Sequence, residues 1–239
     1  MTNAGKTKQP VCAIVGAGPG NGAAFARCFA QAGYQIALLA RNLGRLEEMA
    51  KSMPNAKAFA CDVTDQKSIE TAFAKIANEM GEVEVLIYNT GKGVWGDALS
   101  VTPENFELAW QVNAFGGYLA ARQVLPAMQK SGSGTIIFSG ATASLRGGAK
   151  MAAFASAKAA QKNLAESIAR SYGPDGVHVA LMIIDAIVGE PLMKEKFKDR
   201  PDDFFCDPDD IAKTALMLAN QPRSAWTFQL DLRPFGENW

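Results

Sequence analysis

Histidine is almost missing from this 239-residue sequence, where His178 stands alone, and the four cysteines (Cys12, Cys28, Cys61, Cys206) show no CxxC spacing. Zinc needs clustered thiolate and imidazole ligands, so no metal site is expected. The cysteines read instead as buried structural thiols in a reducing compartment. Runs of about 18 apolar residues are also missing, which excludes a spanning helix. The leader MTNAGKTKQP is polar with no apolar signal core behind it, and a soluble, cytoplasmic protein is expected. An excess of charge of either sign is lacking as well, since Lys plus Arg and Asp plus Glu each total 24. Without a basic stripe, neither nucleic acid nor an anionic membrane is an expected partner. A small-molecule substrate is.

What the chain does have is apolar content, 48% of its residues, enough at this length to bury one substantial core. Residues 1–239 are therefore read as a single domain. Short apolar runs at 11–15, 35–40, 56–60, 83–88, 134–139, 177–184 and 225–230 are bounded by Gly, Pro, Asn or Asp and read as strands. Amphipathic stretches at 20–32, 43–52, 65–80, 103–130, 150–172 and 208–220 read as helices between them. Gly33 is placed to end the first helix, and Thr102-Pro103 and Asp207-Pro208 pair an N-cap residue with proline at the first helical position. Strict alternation implies right-handed crossovers, and so an α/β fold with a doubly wound parallel sheet covered by helices on both faces. The least patterned segment, 189–207, is charged and broken by Pro191 and Pro201; it reads as a substrate lid or a solvated excursion.

The run VGAGPGNG joins the first strand to the first helix, and its residues Gly16, Gly18, Pro19, Gly20, Asn21 and Gly22 are the expected cradle for a pyrophosphate. Glycine permits the tight turn and lets backbone amides approach the phosphates at the positive end of the helix. The second strand ends in Ala40 and Arg41 where a ribose-binding acid would otherwise stand. A guanidinium grips a 2′-phosphate that a carboxylate would repel, so NADP (as NADPH) is favoured and NAD is the weaker candidate. Arg41 reads alternatively as a solvated residue opening the next loop. Asp62 and Val63 follow the third strand, where they can flank an adenine, although Asp62 can equally cap the next helix.

These segments together resemble the short-chain dehydrogenase/reductase family over nearly the whole chain. The matching residues are GxxxGxG at 16–22, Asp62-Val63, the Tyr88-Asn89-Thr90-Gly91 sequence, VNAFG at 112–116, FSGATAS after the fifth strand, and FASAK ending at Lys158. The resemblance implies a Rossmann-type domain with about seven parallel strands, a nicotinamide cofactor, and a homodimer or homotetramer. It adds Asn89, Thr90, Gly91, Lys158 and the backbone of Ile187 to the cofactor-binding set, and it carries Lys158 and Asn113 into the catalytic group, where Ser139 is expected as a neighbouring hydroxyl.

One position breaks the pattern. The family's Tyr-x-x-x-Lys pair becomes Phe154 and Lys158, and the usual serine position falls on Ala141. Ser139, Thr142, Ser144, Tyr88, Asp185 and a water held by Asn113 and Lys158 are the candidate replacements for the proton donor. Trp95 is expected to wall the substrate pocket or simply to pack, and His178 to be structural. The function expected is an NADP-dependent oxidoreductase with a nonstandard proton-transfer site, acting on a small carbonyl, alcohol or conjugated substrate. The alternative is an NADP-binding module, a sensor or oligomeric partner, that has lost redox turnover.

Overall fold

The computed structural model describes residues 9–237, so most of the polar leader on which the solubility argument leans lies outside the described residues. In chain order the elements are β1 (Val11–Val15), α1 (Asn21–Gln31), β2 (Gln35–Ala40), α2 (Leu43–Lys51), β3 (Ala56–Ala60), α3 (Gln66–Glu79) and β4 (Val83–Tyr88). They continue with α4 (Pro103–Trp110), a π-helical turn (Gln111–Phe115), α5 (Gly116–Ser131), β5 (Gly134–Ala141), α6 (Ala152–Tyr172) and β6 (Val177–Ile184). The chain then forms β7 (Ile187–Val188), α7 (Pro191–Lys196), β8 (Phe205–Cys206), α8 (Pro208–Ala219) and β9 (Gln229–Leu232).

Seven strands form one parallel sheet in the order β3-β2-β1-β4-β5-β6-β9. The central strands are buried along their length, so they carry near-continuous apolar runs such as VCAIV and VHVALMII rather than alternation. On one face α3, α5 and α6 bury Ile69, Phe73, Leu119, Val124 and Ile168 against the sheet; on the other, α1, α2 and α8 bury Phe25, Phe29, Leu46, Ile211 and Leu218. Strand order reverses between β1 and β4, and in such sheets the crevice beyond the carboxyl ends of those two strands is where ligands bind.

The expected N-caps hold: Thr102 accepts from the Asn105 amide at 3.3 Å and Asp207 from the Asp209 amide at 2.7 Å. Besides shifts of two residues at the end of β5 and the start of α6, two boundaries differ from expectation. The helix expected over 103–130 is interrupted by the π-helical turn, and the last strand begins at Gln229 because Arg223–Ala225 forms a 3₁₀ turn ahead of it. Segment 189–207 also carries more structure than its composition suggests, since it contains α7 and ends in β8, which pairs in parallel with β7.

Candidate functional site

The glycine turn leaves β1 at the switch point. Gly16 has φ +89°, a left-handed conformation that side chains disfavour, and its amide and that of Ala17 both donate to the Leu39 carbonyl of β2. Gly22 meets a different constraint, because a Cβ there would stand 2.7 Å from Ala17 Cα. Helix and strand can approach this closely only without that carbon. Nothing lies within 4 Å of a Cβ built on Gly18, so its outward side opens to the crevice.

A cleft of about 400 Å³ runs from this turn, lined by Gly16, Gly18, Arg41, Asp62, Val63, Asn89, Thr90 and Gly91 among others. Eight residues expected at the cofactor therefore meet in one cavity. Beyond Gly18 and Arg41 a second recess of about 360 Å³ is lined by Pro19, Asn42 and Arg45 as well. Arg45 was not expected. It lies four residues after Arg41 but across the Asn42 cap of α2, whose side chain accepts from the Arg45 amide at 3.1 Å, so no helical spacing announces the pair.

Asp62 does not cap α3, since Asp65 does, accepting from the Lys67 amide at 2.9 Å. Its Oδ1 accepts from the Thr64 amide and hydroxyl at 2.9 and 2.8 Å. Burial pushes its carboxyl up, but those two bonds and the Arg41 charge outweigh it and hold the group below its ordinary value. An ionised Asp62 thus faces the cleft.

Two buried side-chain atoms among the described residues have no hydrogen-bond partner in the protein: Asn21 Oδ1 and Thr90 Oγ1. Both belong to the expected cofactor set. An unpartnered buried polar atom costs about 1–3 kcal/mol, and a dinucleotide's hydroxyl and amide donors are the kind of group that would relieve it. Together with the open side of Gly18 and the two arginines, this donor and acceptor pattern fits a nicotinamide dinucleotide.

At the other end of the cleft the structure gathers the remaining polar groups around Gly91. A Cβ built there would stand 3.5 Å from Asn113 Oδ1 and 3.9 Å from Lys158 Nζ. Asn113 is fully buried inside the π-helical turn; its Nδ2 donates to the carbonyls of Lys92 and Ala109 at 3.0 and 2.8 Å. Lys158 donates to the Ser139 carbonyl at 2.8 Å and to Gln161 Oε1 at 3.1 Å, and burial alone pulls its amine down to about 8. Gln161, missed from sequence, in turn donates to the Asn113 carbonyl at 2.9 Å and ties Lys158 and Asn113 together. Its only sequence signal is an amide three residues after the lysine on an otherwise alanine-rich helix face. Ile187 leaves the end of β6 and pairs with Phe205.

The candidate proton donors fare differently. Phe154 offers no proton and instead packs on Trp95 with ring centroids 5.3 Å apart, while Trp95 itself is 64% exposed. Tyr88 is fully buried, donates to the Val112 carbonyl, and is pushed above the ordinary phenol range by burial. Asp185 accepts from Thr142 and pairs with Arg233 at 3.0 Å; the Thr142 bond first, then Arg233, hold it below its ordinary value, so it is an ionised acceptor. Ser144 Oγ accepts from the Ala141 amide at 3.1 Å. The Ser139 hydroxyl donates to Asn89 Oδ1 at 3.2 Å, and Asn89 donates to the Gly16 carbonyl at 3.0 Å, a chain that braces the glycine turn. His178, stacked on Trp226 and bonded to the Thr227 carbonyl at 2.9 Å, is a buried, packed residue of β6.

Comparison with known proteins agrees with this fold. The short chain dehydrogenase family model matches residues 10–201. A short-chain dehydrogenase from Rhodopseudomonas palustris is 31% identical, with a TM-score of 0.82 over 95% of this chain and 99% of that one. An alcohol dehydrogenase from the archaeon Thermococcus sibiricus, complexed with 5-hydroxy-NADP, is 25% identical, with a TM-score of 0.86 and 96% and 98% of the two chains covered. A 3-ketoacyl-(acyl-carrier-protein) reductase from Brucella melitensis, complexed with NADH, is 26% identical, with a TM-score of 0.86 and 96% and 99% covered. The chain belongs to the short-chain dehydrogenase family, oxidoreductases that work with a nicotinamide dinucleotide.

Proposed function

We propose that this protein is an NADP-dependent oxidoreductase that reduces or oxidises a small carbonyl, alcohol or conjugated substrate, with Lys158 in place of the missing phenol as the source of the proton. The observation that carries the reading is the continuity of the groove: Gly91 lines the same cleft as Arg41 and lies beside both Asn113 Oδ1 and Lys158 Nζ. Two of the similar solved structures hold an NADP derivative and NADH, so the choice of cofactor rests on Arg41 and Arg45 around the recess beyond Gly18. Two guanidiniums there favour a 2′-phosphate.

When bound, a nicotinamide supplies the hydride. The Ser139 carbonyl and Gln161, itself anchored on the Asn113 carbonyl, hold the lysine in place, and burial brings its amine close to neutral pH, where it can release and regain a proton at Nζ. Trp95 and Phe154 offer an apolar wall beside it. The absence of a phenol at position 154 also favours a second reading, a dinucleotide-binding module without turnover.

NADPH consumption with ketones, aldehydes, imines and conjugated alkenes separates the two. Turnover of one class is expected, falling about 10²-fold or more in Lys158→Met, the scale of a positioned general acid. If the parent is inert while Phe154→Tyr with Ala141→Ser gains carbonyl reduction, the binding-module reading stands instead.

A further inference from the structure

Glu190 is the last residue before α7, and its backbone is fixed there: its amide donates to the Val188 carbonyl at 2.9 Å, and its carbonyl accepts from Met193 and Lys194 at 2.9 and 3.0 Å. The side chain reaches the glycine turn. A Cβ built on Gly20 would stand 2.8 Å from Glu190 Oε2, 3.1 Å from its Cβ and 3.5 Å from its Cδ, so the carboxylate arm lies flat along that glycine. Gly20 is the N-cap of α1; the Ala23 amide donates to the Gly18 and Gly20 carbonyls, while the Asn21 and Gly22 amides before it have no intrahelical acceptor. Among the described residues Glu190 has no cationic partner within 4 Å, and the first turn of α1 carries no other acid. The carboxylate thus stands beside the N-cap residue of α1, at the end of the helix that carries partial positive charge, without capping it by a hydrogen bond.

A dinucleotide's diphosphate seeks the same helix end. Two like-charged groups cannot share it at contact distance without a large repulsion. We propose that the Glu190 carboxylate is a built-in competitor for the cofactor's diphosphate, occupying the phosphate turn in the free protein and holding the α7 segment against it until the dinucleotide displaces both. The proposal rests on the reading that this turn takes a dinucleotide, and it is independent of the choice between NADPH and NADH, which share the diphosphate. Cofactor affinity is thereby set below what the glycine turn alone would give.

Calorimetric titration of the parent, Glu190→Gln and Glu190→Ala with NADPH, NADH and adenosine 2′-monophosphate tests it. Removing the charge should tighten NADPH and NADH alike, by about three- to tenfold, the scale of an anion at a helix N-terminus. Adenosine 2′-monophosphate carries no phosphate toward Gly20, so its affinity should stay the same in both variants. Unchanged or weaker NADPH binding in Glu190→Gln would overturn the proposal, as would equal tightening of adenosine 2′-monophosphate. Tightening in Glu190→Ala alone would also overturn it, since the side chain's bulk rather than its charge would then be responsible. Equal NADPH and NADH affinities in the parent would instead count against the arginine recess, and would leave the Glu190 comparison readable.

Discussion

Lys158 joins a stability cost to the function proposed for it. Its amine, ordinarily at 10.5, falls to about 8 because burial disfavours the charged form. Between those values the unfolded chain binds more protons than the folded one, so stability rises with pH across that window. Below pH 8 the lysine is charged in both states and the full burial cost, about 3 kcal/mol, is present; above 10.5 it is neutral in both and the cost is gone. Lys158→Met also leaves Gln161 and the Ser139 carbonyl without their donor, an offset that does not depend on pH. The parent should therefore gain up to about 3 kcal/mol on the variant between pH 8 and about 10.5, read from urea unfolding at a series of pH values. A constant difference would mean the amine is not depressed. The sequence disclosed this lysine and Asn113 through their motifs, but not Gln161, whose role depends on a bond to a residue 48 positions away. Nor did it disclose Glu190, which reads along the chain as an ordinary charge before a proline.

Elements were legible where local chemistry decides them. Six of the seven sheet strands begin where apolar runs begin, and the Thr102 and Asp207 caps fall where expected. The π-helical turn was not legible, because it is fixed by tertiary bonds: Asn113 reaches the Lys92 loop, and its carbonyl takes the Gln161 amide. Apolar periodicity carries no trace of either. The last strand was misplaced for a similar reason. Its exposed and half-buried residues alternate weakly, and its start is set by pairing with Leu181 of β6 rather than by its own composition. Among the legible features, the Asp207 cap has a measurable weight, since α8 seats Ile211, Ala215 and Leu218 under the sheet. Asp207→Ala should lower the unfolding free energy by about 1 kcal/mol, seen as a lower urea midpoint with an unchanged slope. A change below about 0.3 kcal/mol would show that packing alone fixes the start of the helix.

At the scale of the molecule, the cleft joins residues from both halves of the sheet: Gly18 and Arg41 follow β1 and β2, and Thr90 and Gly91 follow β4. A ligand seated there binds only the assembled sheet, so its affinity adds to the stability of the whole fold. With NADPH at a hundred times its dissociation constant the gain is about 2.7 kcal/mol, which for a chain of this size raises the melting temperature by about 5–10 °C. Charge-assisted hydrogen bonds of the kind Arg41 can give a 2′-phosphate contribute about 1.5 kcal/mol or more, about tenfold in affinity. NADH at the same concentration then gains only about 1.4 kcal/mol, and roughly half the temperature shift. Arg41→Ala should bring the NADPH shift most of the way down to the NADH value, with Arg45 keeping the remainder, and leave the NADH shift where it was. Because both shifts are taken on one protein at one concentration, their difference isolates the 2′-phosphate from everything the two cofactors share. Equal shifts in the parent would place Arg41 in solvent rather than on the phosphate. A lowered NADH shift in the variant would show that Arg41 props the adenosine end of the cleft through the Asp62 carboxylate it faces.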